Sequence, residues 1–356
     1  MKEKTISTST HTLTHFIEWC GDKQLESFTQ DDVYDFLDYL DSYTFLRKGQ
    51  KVGYSPATIR REKVIVKKFL AFVKPELGEV IKLKVLKDSK HPDDILSKDD
   101  IQKLIDACLT VRDKAMIAVF YESGGRKGEM LSVRLKHIVF DEHGAVLNIP
   151  KGKTGSRRIR LVYASSFLHQ WIECHPLKGN REAFLFCSLH APYGVISSTG
   201  ISNQLHLLAT RAGIPEEKVH PHNLRHSRAT HLSEHLTEAQ MKEYLGWTQG
   251  SNMTSVYIHL AGRDIDNAIL KMHGISTEES TKDSLKVGRC PRCKEINPET
   301  SLYCGKCGLP LTDTAAIKLK SDESKIDLAF LESSSIDPAV LEILAKEVKK
   351  YIAENK

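Results

Sequence analysis

Apolar positions recur at helical spacing through the first quarter of the chain. Leu13, Phe16, Ile17 and Cys20 form one set, and Val33, Phe36, Leu37 and Leu40 a second. A third runs Ile59, Val64, Val66, Phe69, Leu70, Val73. Together they predict a helical domain over residues 1–88, with helices from about residue 12. Between the second and third sets, residues 47–54 are expected as a polar, basic loop. The third segment also carries Arg60, Arg61, Lys63, Lys67 and Lys68, a face that suits either phosphates or solvent.

From Lys84 to Asp94 the periodicity gives way to charge around Pro92, which predicts a domain boundary. Ser97 then opens a helix, with Asp100 at the capping-box position. Helical spacing continues to Tyr121 and resumes from Arg126 to Leu131. Residues 145–150 and 157–162 read as two short strands joined by a Lys-Gly turn, hence a hairpin. Helices are expected to dominate from there to about residue 273. The second domain, 95–273, is thus mostly helix with a small sheet, and the fold class is mainly α. Polar residues 274–288 read as a linker, and 288–312 as a cysteine-rich module. In the tail, 325–356, Val340, Ile343, Leu344 and Val348 line one face of a helix spanning Asp337 to Ile352. Packing on the body, self-association or no specific role fits it, and the first two together are expected.

The 356 residues, 40% hydrophobic, suffice for two medium domains and a small module. A net charge of +5 suits a DNA partner without requiring one. No signal peptide and no membrane-length apolar run is apparent, so a cytoplasmic protein is expected, nucleoid-associated when bound to DNA. Cys20, Cys108, Cys174 and Cys187 are scattered and are expected as buried thiols rather than disulfides. Cys290, Cys293, Cys304 and Cys307 instead form C-x2-C-x10-C-x2-C, which suits four thiolates around a structural zinc with no open position. The segment is too small to hold a core without such a staple. A redox CxxC is the other reading. Arg292, Lys294 and Lys306 make the module basic, so contact with DNA or with protein stays open.

The candidate chemistry centres on Tyr257. A tyrosine hydroxyl is a poor nucleophile at neutral pH, and cations around a phosphodiester are one way to make it attack. Arg126 and Arg225 offer planar forks that meet two phosphate oxygens and stay charged. Glu129, three residues after Arg126, is placed to hold it. His222 and Arg225, three apart at a helix start, share a face. Lys153 sits at a hairpin tip and suits a general acid for the departing 5′ oxygen; Lys151 is the alternative. Trp247 offers an indole N–H, a donor without a proton to lose. His222 and His226 have metal-ligand spacing, but no Glu follows His222 as a zinc protease needs. Each signal is ordinary by itself; the order of the set gives it force.

That order resembles the tyrosine recombinase (integrase) family. Gly125-Arg126-x-x-Glu129, the Lys153 hairpin, His222-x-Leu224-Arg225-His226, Leu245-Gly246-Trp247 and Tyr257-x-His259 stand in the family's sequence, over roughly residues 95–262. The resemblance implies a core-binding, DNA-clamping domain in the first helical segment. It implies that Tyr257 attacks a scissile phosphate, leaving a 3′-phosphotyrosyl bond and a free 5′ hydroxyl. A 5′ hydroxyl from the partner duplex then attacks that bond, with no cofactor or metal for catalysis. Four protomers on double-stranded DNA, sometimes with accessory DNA-bending proteins, belong to the same expectation. Most members carry His where this chain has Trp247, so this position would donate a hydrogen bond rather than a proton. Tyr244 is the fallback nucleophile. Zinc ribbons appended to such domains look typical of archaeal integrase-like proteins. Two other readings share the pattern: a DNA-binding regulator that has lost strand transfer, and a type IB topoisomerase.

Overall fold

Thr29 and Asp32 exchange hydrogen bonds in a capping box that starts a helix, and Ser55 accepts from Thr58 N ahead of Pro56 to start another. The structure, a computed structural model, describes residues 3–47, 49–83, 95–152, 155–251, 253, 254, 257, 285–322 and 346, apart from the side chains of 3, 4, 151 and 152. The chain divides into two units, Met1–Lys90 and His91–Lys356.

The first unit holds α1 (Glu3–Cys20), α2 (Gln30–Ser42), α3 (Pro56–Val73) and α4 (Pro75–Val80). Phe16, Val33, Phe36, Leu40, Val66 and Leu70 meet in its core, as their spacing predicts. Where a basic loop was expected, β1 (Thr44–Arg47) and β2 (Gln50–Gly53) pair antiparallel, with Phe45 opposite Val52. Gly49, at φ +81°, turns the hairpin. The lysines and arginine of this stretch hid its β-forming residues. On α3, Arg61 pairs with Glu62, Lys63 with Asp41, and Lys67 donates to Ile81 O, whereas Lys68 is exposed.

The second unit opens with α5 (Lys98–Asp106), capped by Ser97 and Asp100 as expected. It continues through α6 (Val111–Ser123) and α7 (Lys127–Ser132). The expected hairpin forms as β4 (Gly144–Gly152) and β5 (Gly155–Leu161), and a further strand, β3 (Ile138–Asp141), joins it in the antiparallel order β3-β4-β5. Gly144 turns β3 into β4 at φ +111°; a Cβ there would lie 2.5 Å from Leu161 O. Buried Glu122, on α6, accepts from the backbone N–H groups of Val162, Tyr163 and Ala164, tying the end of β5 to that helix. Then come α8 (Ser165–Glu173), α9 (Ser198–Ala212), α10 (Pro221–Ser233) and α11 (Glu238–Leu245).

Helices supply the regular structure of this stretch as expected, with one long loop among them. Residues 174–197 run through turns and isolated pairings such as Cys187↔Val195, because Pro176, Gly179, Pro192 and Gly194 interrupt them. Cys108 and Cys187 are buried thiols as expected, but Cys174, at the end of α8, is exposed and Cys20 only half-buried. The expected linker ends sooner than its composition suggested: Leu285 and Val287 pack on the core, and Val287 begins β6 (Val287–Arg289), paired with β7 (Ile296–Pro298). Residues 313–322 are helical. The boundary at 84–94, the stretch 258–284 and the tail helix at 337–352, residue 346 apart, lie outside the described residues.

Candidate active site

Two helices end in left-handed glycines, α6 at Gly124 (φ +55°) and α11 at Gly246 (φ +62°). The carbonyls around these ends, carrying the negative pole of a helix, face arginines. Arg225, buried on α10, donates to Gly124 O at 2.6 Å and to Leu245 O at 2.7 Å. Arg126, at the N-cap of α7, donates to Gly246 O at 3.0 Å and to Glu129 Oε1 at 2.7 Å. Its own backbone N–H reaches Glu129 Oε2 at 3.0 Å.

Glu129 serves a second guanidinium: Arg157, on β5, donates to Oε2 at 2.8 Å. Burial works against its ionisation, but the hydrogen bonds from Arg157 and Arg126 prevail and hold the carboxyl at about 2. Burial, then the charges of Arg126 and Arg157, bring Arg225 down to about 10, still protonated at neutral pH. Two guanidinium groups therefore share one carboxylate, and a third, Arg225, lies within reach of their charge. Arg157 is 92% covered, and its Nε and Nη1 are buried donors without a hydrogen-bond partner (its side chain keeps 8% exposure). A surplus of positive charge with free donors is an environment that favours an anion.

Tyr257 is 1% exposed. Its hydroxyl shares a hydrogen bond with His226 Nδ1, and its ring stacks on Trp247 with centroids 5.4 Å apart and planes 9° from parallel. The guanidinium carbon of Arg225 lies 5.6 Å from the Trp247 ring centre. The ring of His222, itself exposed at the start of α10, meets that of His226 edge-on at 4.2 Å. His222, Arg225, Trp247 and Tyr257 thus form one cluster, and Arg126 joins it through the Leu245–Gly246 carbonyls. Lys153 and the Lys151 side chain lie outside the described residues. The Tyr244 hydroxyl is engaged, donating to Glu122 O at 2.6 Å.

Two residues of this cluster escaped sequence reasoning. In the sequence His226 reads as a possible metal ligand beside His222 and as the last residue of a family motif; its place against Tyr257 comes from α10 packing. Arg157 shares a strand face with Ile159 and Leu161, both fully buried, and that alternation was the available signal for an inward arginine.

A second constellation stands apart. The Sγ atoms of Cys290, Cys293, Cys304 and Cys307 all lie within 4.8 Å of one another. The Cys290–Cys307 and Cys293–Cys304 pairs are 3.7 and 3.5 Å apart. A tetrahedron with zinc–sulfur bonds of about 2.3 Å has edges of about 3.8 Å, so the four thiols fit such an ion. The residue after each CxxC, Lys294 at φ +62° and Gly308 at φ +71°, turns the chain left-handed in both knuckles. The cysteines form a group that can hold a metal.

Residues 94–263 match the phage integrase family. The tyrosine recombinase XerD of Oceanobacillus iheyensis is 27% identical over 277 residues, covering 73% of this chain and 89% of that protein. XerC of Escherichia coli O157:H7 is 32% identical over 179 residues; the match spans 49% of this chain and 58% of that relative's length. Among solved structures, XerH site-specific recombinase on palindromic difH substrate, a post-cleavage complex, shares the fold. Its TM-score is 0.58 at 21% identity, over 76% of this chain and 80% of that one. A buried tyrosine stacked on Trp247 beside the arginine cluster, within residues that match the phage integrase family and alongside XerD and XerC as relatives, supports a tyrosine-type site-specific recombinase.

Proposed function

We propose that Tyr257 is the nucleophile of this recombinase and that the arginine cluster is its phosphate site. The observation that carries the reading is the chain of contacts from Tyr257 through Trp247 to Arg225, with Arg126 bonded to the same pair of carbonyl-bearing residues. Arg126 and Arg225 neutralise the nonbridging oxygens as charge gathers on them. His222, exposed beside Arg225, donates to the phosphate, and Lys153 protonates the departing 5′ oxygen. Trp247 walls the tyrosine with its ring. The 3′-phosphotyrosyl bond conserves the energy of the broken phosphodiester, so strand exchange needs neither nucleotide nor catalytic metal.

In this reading residues 1–88 clamp double-stranded DNA, 95–273 carry the chemistry, and 325–356 contribute to self-association. Four protomers act on two sites in the cytoplasm, with accessory DNA-bending proteins where the site demands them. Residues 288–312 form a zinc ribbon of the archaeal integrase-like kind, its four thiolates closing the metal's coordination.

A covalent trap tests the reading. The protein is incubated with fragmented DNA of its source, stopped with detergent, and the attached strands are sequenced. Adducts through a 3′ phosphate, clustered at one inverted repeat and absent with Tyr257→Phe at unchanged DNA binding, are expected. Scattered adducts would mean a topoisomerase, and tight binding without adducts a regulator.

A further inference from the structure

We infer that His226 is a further catalytic residue, the base that holds the Tyr257 hydroxyl and takes its proton as the oxygen attacks phosphorus. The inference rests on Tyr257 being the nucleophile.

A phenol titrates near 10, so at neutral pH about one molecule in a thousand is ionised. Attack at a useful rate needs a base within hydrogen-bond reach. His226 Nδ1 is in that contact already. Both partners are buried, His226 at 5% exposure and Tyr257 at 1%, so the proton has a fixed neighbour to go to rather than bulk water. The imidazole is also held in orientation. It follows Arg225 on α10, its ring meets His222 edge-on at 4.2 Å, and the Tyr257 ring lies 5.5 Å away at 30°. A nucleophile bonded to a base that a third group orients is the arrangement that activates hydroxyls elsewhere.

The charged surroundings add a condition. The titratable groups against His226 are Tyr257, His222 from its own helix and Arg225, with Arg126 and Arg157 behind Arg225. A bound phosphodiester adds negative charge beside these groups, where the tyrosine oxygen has something to attack.

In the step, the Tyr257 Oη–phosphorus bond forms and the phosphorus–O5′ bond breaks. The phenol proton passes to Nδ1 of a neutral imidazole that carries its other proton on Nε2, and the leaving oxygen is protonated by the general acid. On religation the imidazolium returns the proton to Tyr257. No oxidant or further reactant enters.

The test uses the full chain and the DNA fragment recovered in the covalent trap. His226→Gln keeps a hydrogen-bonding side chain but accepts no proton. It is expected to form adduct about 10²–10⁴-fold more slowly at equal DNA retention on a filter. Imidazole in the buffer should restore part of the rate to His226→Ala. Adduct formation by His226→Gln within about twofold of wild type, with no response of His226→Ala to imidazole, overturns the inference. Should both variants lose the fold by circular dichroism, the unaltered protein decides. On DNA with sulfur at the bridging 5′ position the leaving group needs no proton, so slower cutting in heavy water reports the tyrosine's proton, and equal rates in the two solvents overturn the inference. Tyr257→Phe separates the two claims: adducts that persist in it remove the nucleophile itself, whereas their loss there beside normal cutting by His226→Gln removes only the base.

Discussion

Glu129 binds two arginines that arrive from different elements, Arg126 from α7 and Arg157 from β5. Replacing it with Gln leaves two guanidinium groups without their counter-charge, an arrangement that costs about 3–5 kcal/mol when buried pairs are broken. A lower urea midpoint for Glu129→Gln checks this. The pH dependence follows in sign. Its carboxyl sits at about 2 in the folded chain against an ordinary 4.5, so the unfolded chain binds more protons between those values. Its contribution is whole above about pH 4.5 and fades as the pH falls toward 2. Urea melts at pH 7 and pH 3 should therefore converge more between wild type and Glu129→Gln at the lower pH. The link between Arg126 and Glu129 was legible in the sequence because three residues on a helix N-terminus is a local distance. Arg157 was not, since its partner is 28 residues away and only the packing of α7 on the sheet brings them together.

Among elements, α6 and α11 depend on their terminal glycines. An alanine at Gly124 would carry φ +55° and place its Cβ 2.6 Å from Leu245 Cδ2. Gly124→Ala is expected to lower stability by about 1–3 kcal/mol and to slow adduct formation, since Gly124 O is one of the two carbonyls that hold Arg225. Thermal melts and the covalent trap read the two effects separately. Helices with caps and a clear stripe, such as α5, were visible beforehand. The β1–β2 hairpin was not, because charged residues on an exposed ribbon leave no apolar alternation to follow. The loop over 174–197 does not stand out in the sequence, because its buried residues, such as Leu185 and Phe186, suggest an apolar stripe without fixing its period.

Across the second unit, the cysteine module is not a bead on a string. Arg289 donates to Glu142 O at 3.0 Å, and Gly305 lies so close to α8 that a Cβ would fall 2.8 Å from Gln170 Nε2. Chelation is expected to release about one zinc per chain and to expose residues 285–322 to limited proteolysis while residues 95–251 stay resistant. Metal analysis and mass spectrometry of the fragments check both. The cysteines announced the module from their spacing, whereas its seat on α8 depends on contacts between distant stretches. A last consequence lies in the carbonyls of Gly124, Leu245 and Gly246, which sit at the ends of helices formed more than a hundred residues apart. The guanidinium groups that span them stand together only when both ends have arrived. A nascent or partly melted chain keeps them apart. On the proposed reading its phosphate site exists only in the finished fold and is lost with the first loosening of α11.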